Sequence, residues 1–109
     1  MYSEVDGMRK LLITQDDDPT ALDMASTMRE DGDEVGVVLL MDSSYMATRS
    51  GAHAERVRKA MERGVTIFLL ERDVERRGIG SLLLDDISII GYDDLVDLVF
   101  IDGQRVYNL

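Results

Sequence analysis

The sequence has 109 residues, 45% hydrophobic and 31% charged, with 22 acidic against 12 basic side chains and a net charge of −10. That size suits one packed domain, residues 1–109, without room for a second, and the acidic excess repels a phosphate backbone, which argues against direct nucleic-acid binding. No cysteine is present, so disulfides, thiolate metal sites and thiol nucleophiles are excluded, and no apolar run approaches the ~20 residues of a membrane span.

Residues 1–7 are polar, contain Gly7 and read as a flexible leader; the N-terminal stretch 1–10 lacks a basic segment followed by an apolar one, and the chain is expected to be cytoplasmic. Around Leu11, Leu12 and Ile13 an apolar run predicts a first strand over 8–14, and 15–18 form the turn that ends it. Asp18 can accept hydrogen bonds from the first free amides of a helix, and Pro19 has the fixed φ and missing amide that suit a helix start. A helix is therefore expected over 19–30, with Ala21, Met24, Ala25 and Met28 on one side, stopped by the Asp-Gly-Asp turn at 31–33. Residues 34–41 read as the second strand and 42–51 as a loop.

A helix with Ala54, Val57 and Met61 on one face then runs to Gly64, and Glu55 stands four residues before Lys59 as a surface ion pair. Residues 65–70 are almost continuously apolar and rich in β-branched side chains, as in a strand covered on both faces. The charged segment 71–77 fits a short helix closed by Gly78 in the left-handed conformation. A further strand is expected over 87–90. After it comes an amphipathic helix over 93–100 with Leu95, Leu98 and Val99 on one side and Asp94 and Asp97 elsewhere. The Asp-Gly turn at 102–103 leads to a last strand over 104–108. This alternation predicts a three-layer α/β/α sandwich on a mostly parallel sheet of about five strands, with right-handed crossovers. Leu39, Ile67, Leu69 and Ile89 are expected in its core.

Chemistry is sparse. Asp16, Asp17 and Asp18, with Asp42 after the second strand, superficially resemble the phosphoacceptor pocket of receiver domains. The only lysines, Lys10 and Lys59, stand in the wrong places for that family, and helix capping accounts for the cluster. Adjacent aspartates diverge, so no metal site is expected. Neither GxGxxG nor GxxxxGK[ST] occurs, and no cofactor is expected. His53, the single histidine, follows a loop where parallel sheets bind ligands. Asp42, Ser43, Ser44, Arg49 and His53 are thus the candidate ligand or partner loop. Arg72, Arg76 and Arg77 alternate with Glu71, Asp73 and Glu75 and read as a solvated, salt-bridged face. Leu82, Leu83 and Leu84 fall outside any clear helix or strand and are candidates for an oligomer contact.

VVLLMDSSYMA at 37–47, VTIFLLERDVERRGI at 65–79 and DISIIGYDDLVDLV at 86–99 together resemble the DsrH/TusB family of the DsrE/DsrF/DsrH superfamily. Arg77 and Gly78 supply its Arg-Gly pair, Asp73 the acidic position before it, and Tyr92, Asp94, Leu95 and Leu98 its last element. Asp-Ser-Ser at 42–44 departs from the family's frequent Asp-Gly. The resemblance implies strand order 4-3-2-1-5. It also implies that Leu70, expected to be buried at a strand end, occupies the position of the reactive cysteine that carries persulfide sulfur in related subunits. The function so implied is that of a non-catalytic subunit, assembling with DsrE/TusD-like and DsrF/TusC-like partners in a cytoplasmic sulfur relay that serves tRNA 2-thiouridine formation or sulfur oxidation. The alternative is a ligand-binding or regulatory homo-oligomer of the same fold, with its pocket at the 42–53 loops.

Overall fold

A computed structural model describes residues 8–109, so the leader reading of 1–7 lies outside the described residues. Strands β1 (Arg9–Thr14), β2 (Glu34–Leu39), β3 (Thr66–Leu70), β4 (Ser88–Ile90) and β5 (Gln104–Asn108) alternate with helices α1 (Thr20–Glu30), α2 (Ala54–Glu62), α3 (Glu71–Arg77) and α4 (Tyr92–Val99). They pair in the order β4-β3-β2-β1-β5, every pair parallel. This is the expected α/β/α sandwich, with the expected strand order. Among the described residues no helix is long and apolar enough to cross a membrane.

The strand order dictates where the helices lie. From β1 to β4 the chain steps in one direction, so right-handed crossovers put α1, α2 and α3 on one face of the sheet. The step from β4 back to β5 runs the other way and puts α4 alone on the opposite face. Burial follows this asymmetry. The principal core joins Leu12, Val37, Leu39, Ile67 and Leu69 of the sheet to Ala21, Leu22, Ala25, Val57, Ala60 and Val74 of the three helices. On the second face Leu11 and Val38 are buried, and a Cβ at Gly36 would stand 3.0 Å from the Phe68 ring and 3.2 Å from Leu11, so glycine there makes room for Phe68. No residue of α4 is fully buried.

Local signals act as expected at several ends. The Asp18 carboxylate accepts the Thr20 amide at 2.9 Å and the Thr20 hydroxyl at 2.7 Å, and these bonds hold the carboxyl below its usual range. Gly78 closes α3 at φ 62. Asp94 Oδ2 accepts the Gly91 amide at 3.3 Å, one half of a capping box that glycine cannot complete. Glu55 pairs with Arg58 rather than with Lys59, one residue nearer along the helix.

The expected core is corrected at one place. Leu39, Ile67 and Leu69 are fully buried, but Ile89 is 47% exposed, because the three-residue β4 is an edge strand with a neighbour on one side only.

Beneath the sheet, Asp33 accepts the Met8 amide at 2.8 Å and lies 2.5 Å from Lys10 Nζ. The bond to Lys10, then that to Met8, hold the Asp33 carboxyl below its ordinary value, while Asp33 raises Lys10. The Asp33 contribution to stability is therefore present above the unfolded carboxylate pKa of about 3.9 and is lost as pH falls through the lower folded value. Lys10's contribution is lost only as pH rises through its raised value. Urea unfolding should show Asp33→Asn clearly less stable than the parent at pH 7, with the gap narrowing by pH 3. An equal gap at both pH values would refute the linkage.

Candidate functional site

Parallel sheets present their connecting loops at the C-terminal ends of the strands, and here the ends of β2 and β3 are tied together by charge. After β2 the chain passes through extended Leu40 to Met41 at φ 53, a left-handed conformation uncommon outside glycine. Its amide donates to Asp73 Oδ2 at 3.0 Å. Asp73 is buried in the first turn of α3, where a carboxylate suits the helix dipole. One turn on, Arg77 lies 3.3 Å from Asp73 and 3.2 Å from Asp42, with its guanidinium 5.7 Å from the centre of the Tyr45 ring. Arg77 thus bridges the 3₁₀ segment Met41–Ala47 and α3, with a cation–π contact to Tyr45.

The expectation that Arg77 and Asp73 form a solvated face is overturned. Arg72 and Arg76 are exposed, whereas Asp73 is buried and Arg77 mostly so, and its Nε has no hydrogen-bond partner among the described residues. The four-residue spacing of Asp73 and Arg77 is the available signal; what spacing does not show is that Arg77 also reaches Asp42, 35 residues away along the chain.

The side chains of the candidate loop go to different places. Ser43 and Ser44 are fully buried: the Ser43 hydroxyl donates to Thr14 O and Leu40 O at 2.9 and 2.6 Å, and that of Ser44 to Met41 O at 2.5 Å. Bonded to backbone carbonyls, they fasten the 3₁₀ turn. Asp42 joins the Arg77 clamp. Arg49 donates to Ser81 O at 2.7 Å and lines a cleft of about 660 Å³ with Val65, Thr66 and Ser88, at the N-terminal ends of β3 and β4. His53 Nε2 stands 3.7 Å from Asp17 Oδ1, beside the loop after β1. Among the described residues no group of three or more His, Asp or Glu side chains converges on a metal position.

Two further expectations are corrected. Leu70 ends β3 and precedes the first turn of α3, but it is half-buried rather than buried. Of the three leucines, Leu83 and Leu84 belong to the core and only Leu82 is exposed. An antiparallel bridge from Leu83 to Thr48, and the Leu84 amide on Ala47 O at 2.8 Å, fold that run inward.

Beside Leu70 this edge offers Met41, Asp42, Tyr45, Asp73 and Arg77. None is a thiol, and Arg77, the cation among them, is matched by two carboxylates. The arrangement fixes the shape of a loop and commits the charge of Arg77 to Asp42 and Asp73.

The parallel order with three helices against one is the DsrEFH-like fold. Solved structures sharing it include a protein of unknown function from Methanobacterium thermoautotrophicum, with a TM-score of 0.77 at 17% identity, covering 94% of this chain and 99% of that one. The E. coli ychN protein matches with a TM-score of 0.75 at 19% identity, covering 94% and 100%. Within this class the chain belongs to the family described as DsrH like protein, whose model matches residues 18–104. Two relatives named Protein TusB, from Yersinia pestis (strain Pestoides F) and Yersinia pseudotuberculosis (serotype O:1b), are each 26% identical over 96 residues. Each match covers 88% of this chain and 98% of the relative.

Proposed function

We propose that this protein is a non-catalytic, single-domain subunit of a cytoplasmic sulfur-relay complex of the TusBCD/DsrEFH type, serving tRNA 2-thiouridine formation or sulfur oxidation. The observation that carries this reading is Leu70. At the strand end where the family resemblance implies the sulfur-carrying cysteine of related subunits stands Leu70, a side chain that cannot hold persulfide, in a chain with no cysteine. The adjacent loop is nonetheless clamped by Asp42, Asp73 and Arg77, so the edge keeps a fixed shape without its chemistry. A fixed surface without a nucleophile suits a subunit that presents or covers a partner's site. The reading as a ligand-binding homo-oligomer gains no support from the 42–53 loops, because Ser43 and Ser44 are occupied internally.

Co-expression with the DsrE/TusD-like and DsrF/TusC-like proteins of the same genome tests the assignment. Native mass spectrometry should show one stoichiometric complex containing all three chains. Three soluble, folded proteins that never co-elute would sink it.

A further inference from the structure

The apolar part of α4 is wider than the sheet contact it serves. Leu95, Leu98 and Val99 are half-buried toward the sheet, and Leu98 faces Leu11, Gly36 and Phe68. Next to them around the helix, four residues apart, come Tyr92, Val96 and Phe100, which are 70%, 36% and 78% exposed. Contiguous exposed apolar patches mark interaction surfaces, and Tyr and Phe are favoured anchors at interfaces. Asp93, Asp94 and Asp97 fill the rest of the helix and Asp102 follows it.

Charge decides what covers the ridge. From Gly78 to Gly103 the chain carries six aspartates and no Lys, Arg or His. A second copy packed symmetrically would set these acidic rows against each other. Nor does helix α2 of another copy fit the part: Arg56 and Arg58 already pair with Asp23 and Glu55, Arg63 just after the helix pairs with Glu30 at 2.8 Å, and Lys59 stands between Glu55 and Glu62 at helical spacing. We infer that the Tyr92–Val96–Phe100 ridge of α4 docks into an apolar groove bordered by Lys and Arg on a different protein subunit. This deepens the assembly reading and rests on it, by naming the face used and the charge of its partner.

The test uses purified full-length chains and the DsrE/TusD-like and DsrF/TusC-like proteins, with dissociation constants from calorimetry. Val96→Asp/Phe100→Asp should weaken the complex at least 100-fold, whereas Thr27→Asp, which adds the same charge at an exposed position of α1 on the other face of the sheet, should leave it within threefold. Because both replaced side chains are exposed, unchanged thermal unfolding would confirm that the double variant is folded. Raising NaCl from 50 to 500 mM should weaken the parent complex about tenfold or more, since surface charges are screened at such ionic strength. Unaltered affinity in the double variant would overturn the inference and leave the assembly reading standing. Absence of any complex with the parent chain would overturn both. Self-association of the parent in sedimentation, abolished by the double variant, would make a second copy the occupant and also overturn it.

Discussion

Asp73→Ala should cost about 3 kcal/mol of folding stability, on the scale observed when one partner of a buried ion pair is removed. The buried carboxylate supports two groups at once: the Met41 amide at 3.0 Å and Arg77 at 3.3 Å. Without it, the amide of a left-handed methionine loses its acceptor and a mostly buried guanidinium keeps Asp42 as its carboxylate partner, with the Tyr45 ring beside it. Asp42→Ala removes the exposed end of the same clamp and should cost less than about 1 kcal/mol, as surface pairs do. Asp73→Asn, which keeps an acceptor for the amide but not the charge, should fall between them. Urea unfolding at pH 7 provides all three values. Equal costs for Asp73→Ala and Asp42→Ala would mean that the clamp does not anchor the loop.

Elements built from contiguous signals were legible in the sequence. Strand β5 and helix α3 have the expected bounds, because an Asp-Gly turn, a charged seven-residue run and Gly78 punctuate them. Strand order came with the family resemblance, since periodicity alone does not order strands. The misreadings share a physical origin in non-local contacts. A Leu-Leu-Leu run looks exposed until Thr48 and Ala47 are known to pair with it. Ser43 and Ser44 look like ligand groups until Thr14, Leu40 and Met41 supply carbonyls for them. Ile89 has a core residue's chemistry but sits on an edge strand too short to enclose it. The clamp was half legible: Asp73 and Arg77 were singled out as family positions, yet their joint hold on Asp42 and Met41 spans more than thirty residues.

Incubated with a cysteine desulfurase and ³⁵S-cysteine under non-reducing conditions, the chain should remain unlabelled. Persulfide sulfur is held on a thiolate, and no other side chain present can carry it. Stoichiometric label on the intact chain would overturn the non-catalytic assignment. The sharper measurement is on Leu70→Cys, which supplies a thiol at this strand end and leaves its surroundings unchanged. Residue 70 precedes the first turn of α3, and a helix N-terminus favours a thiolate. That helix has only seven residues, however, and Glu71 and Asp73 place two carboxylates in its first turn. Arg77, the nearby mostly buried cation, is already matched by Asp73 and Asp42. The new thiol should therefore alkylate with an apparent pKa near or above the ordinary value of about 8.5, and take up label slowly. Alkylation already at its maximal rate at pH 6 would show a preserved thiolate-stabilising field at this edge. The missing thiol, rather than its surroundings, would then be what keeps this edge from carrying sulfur.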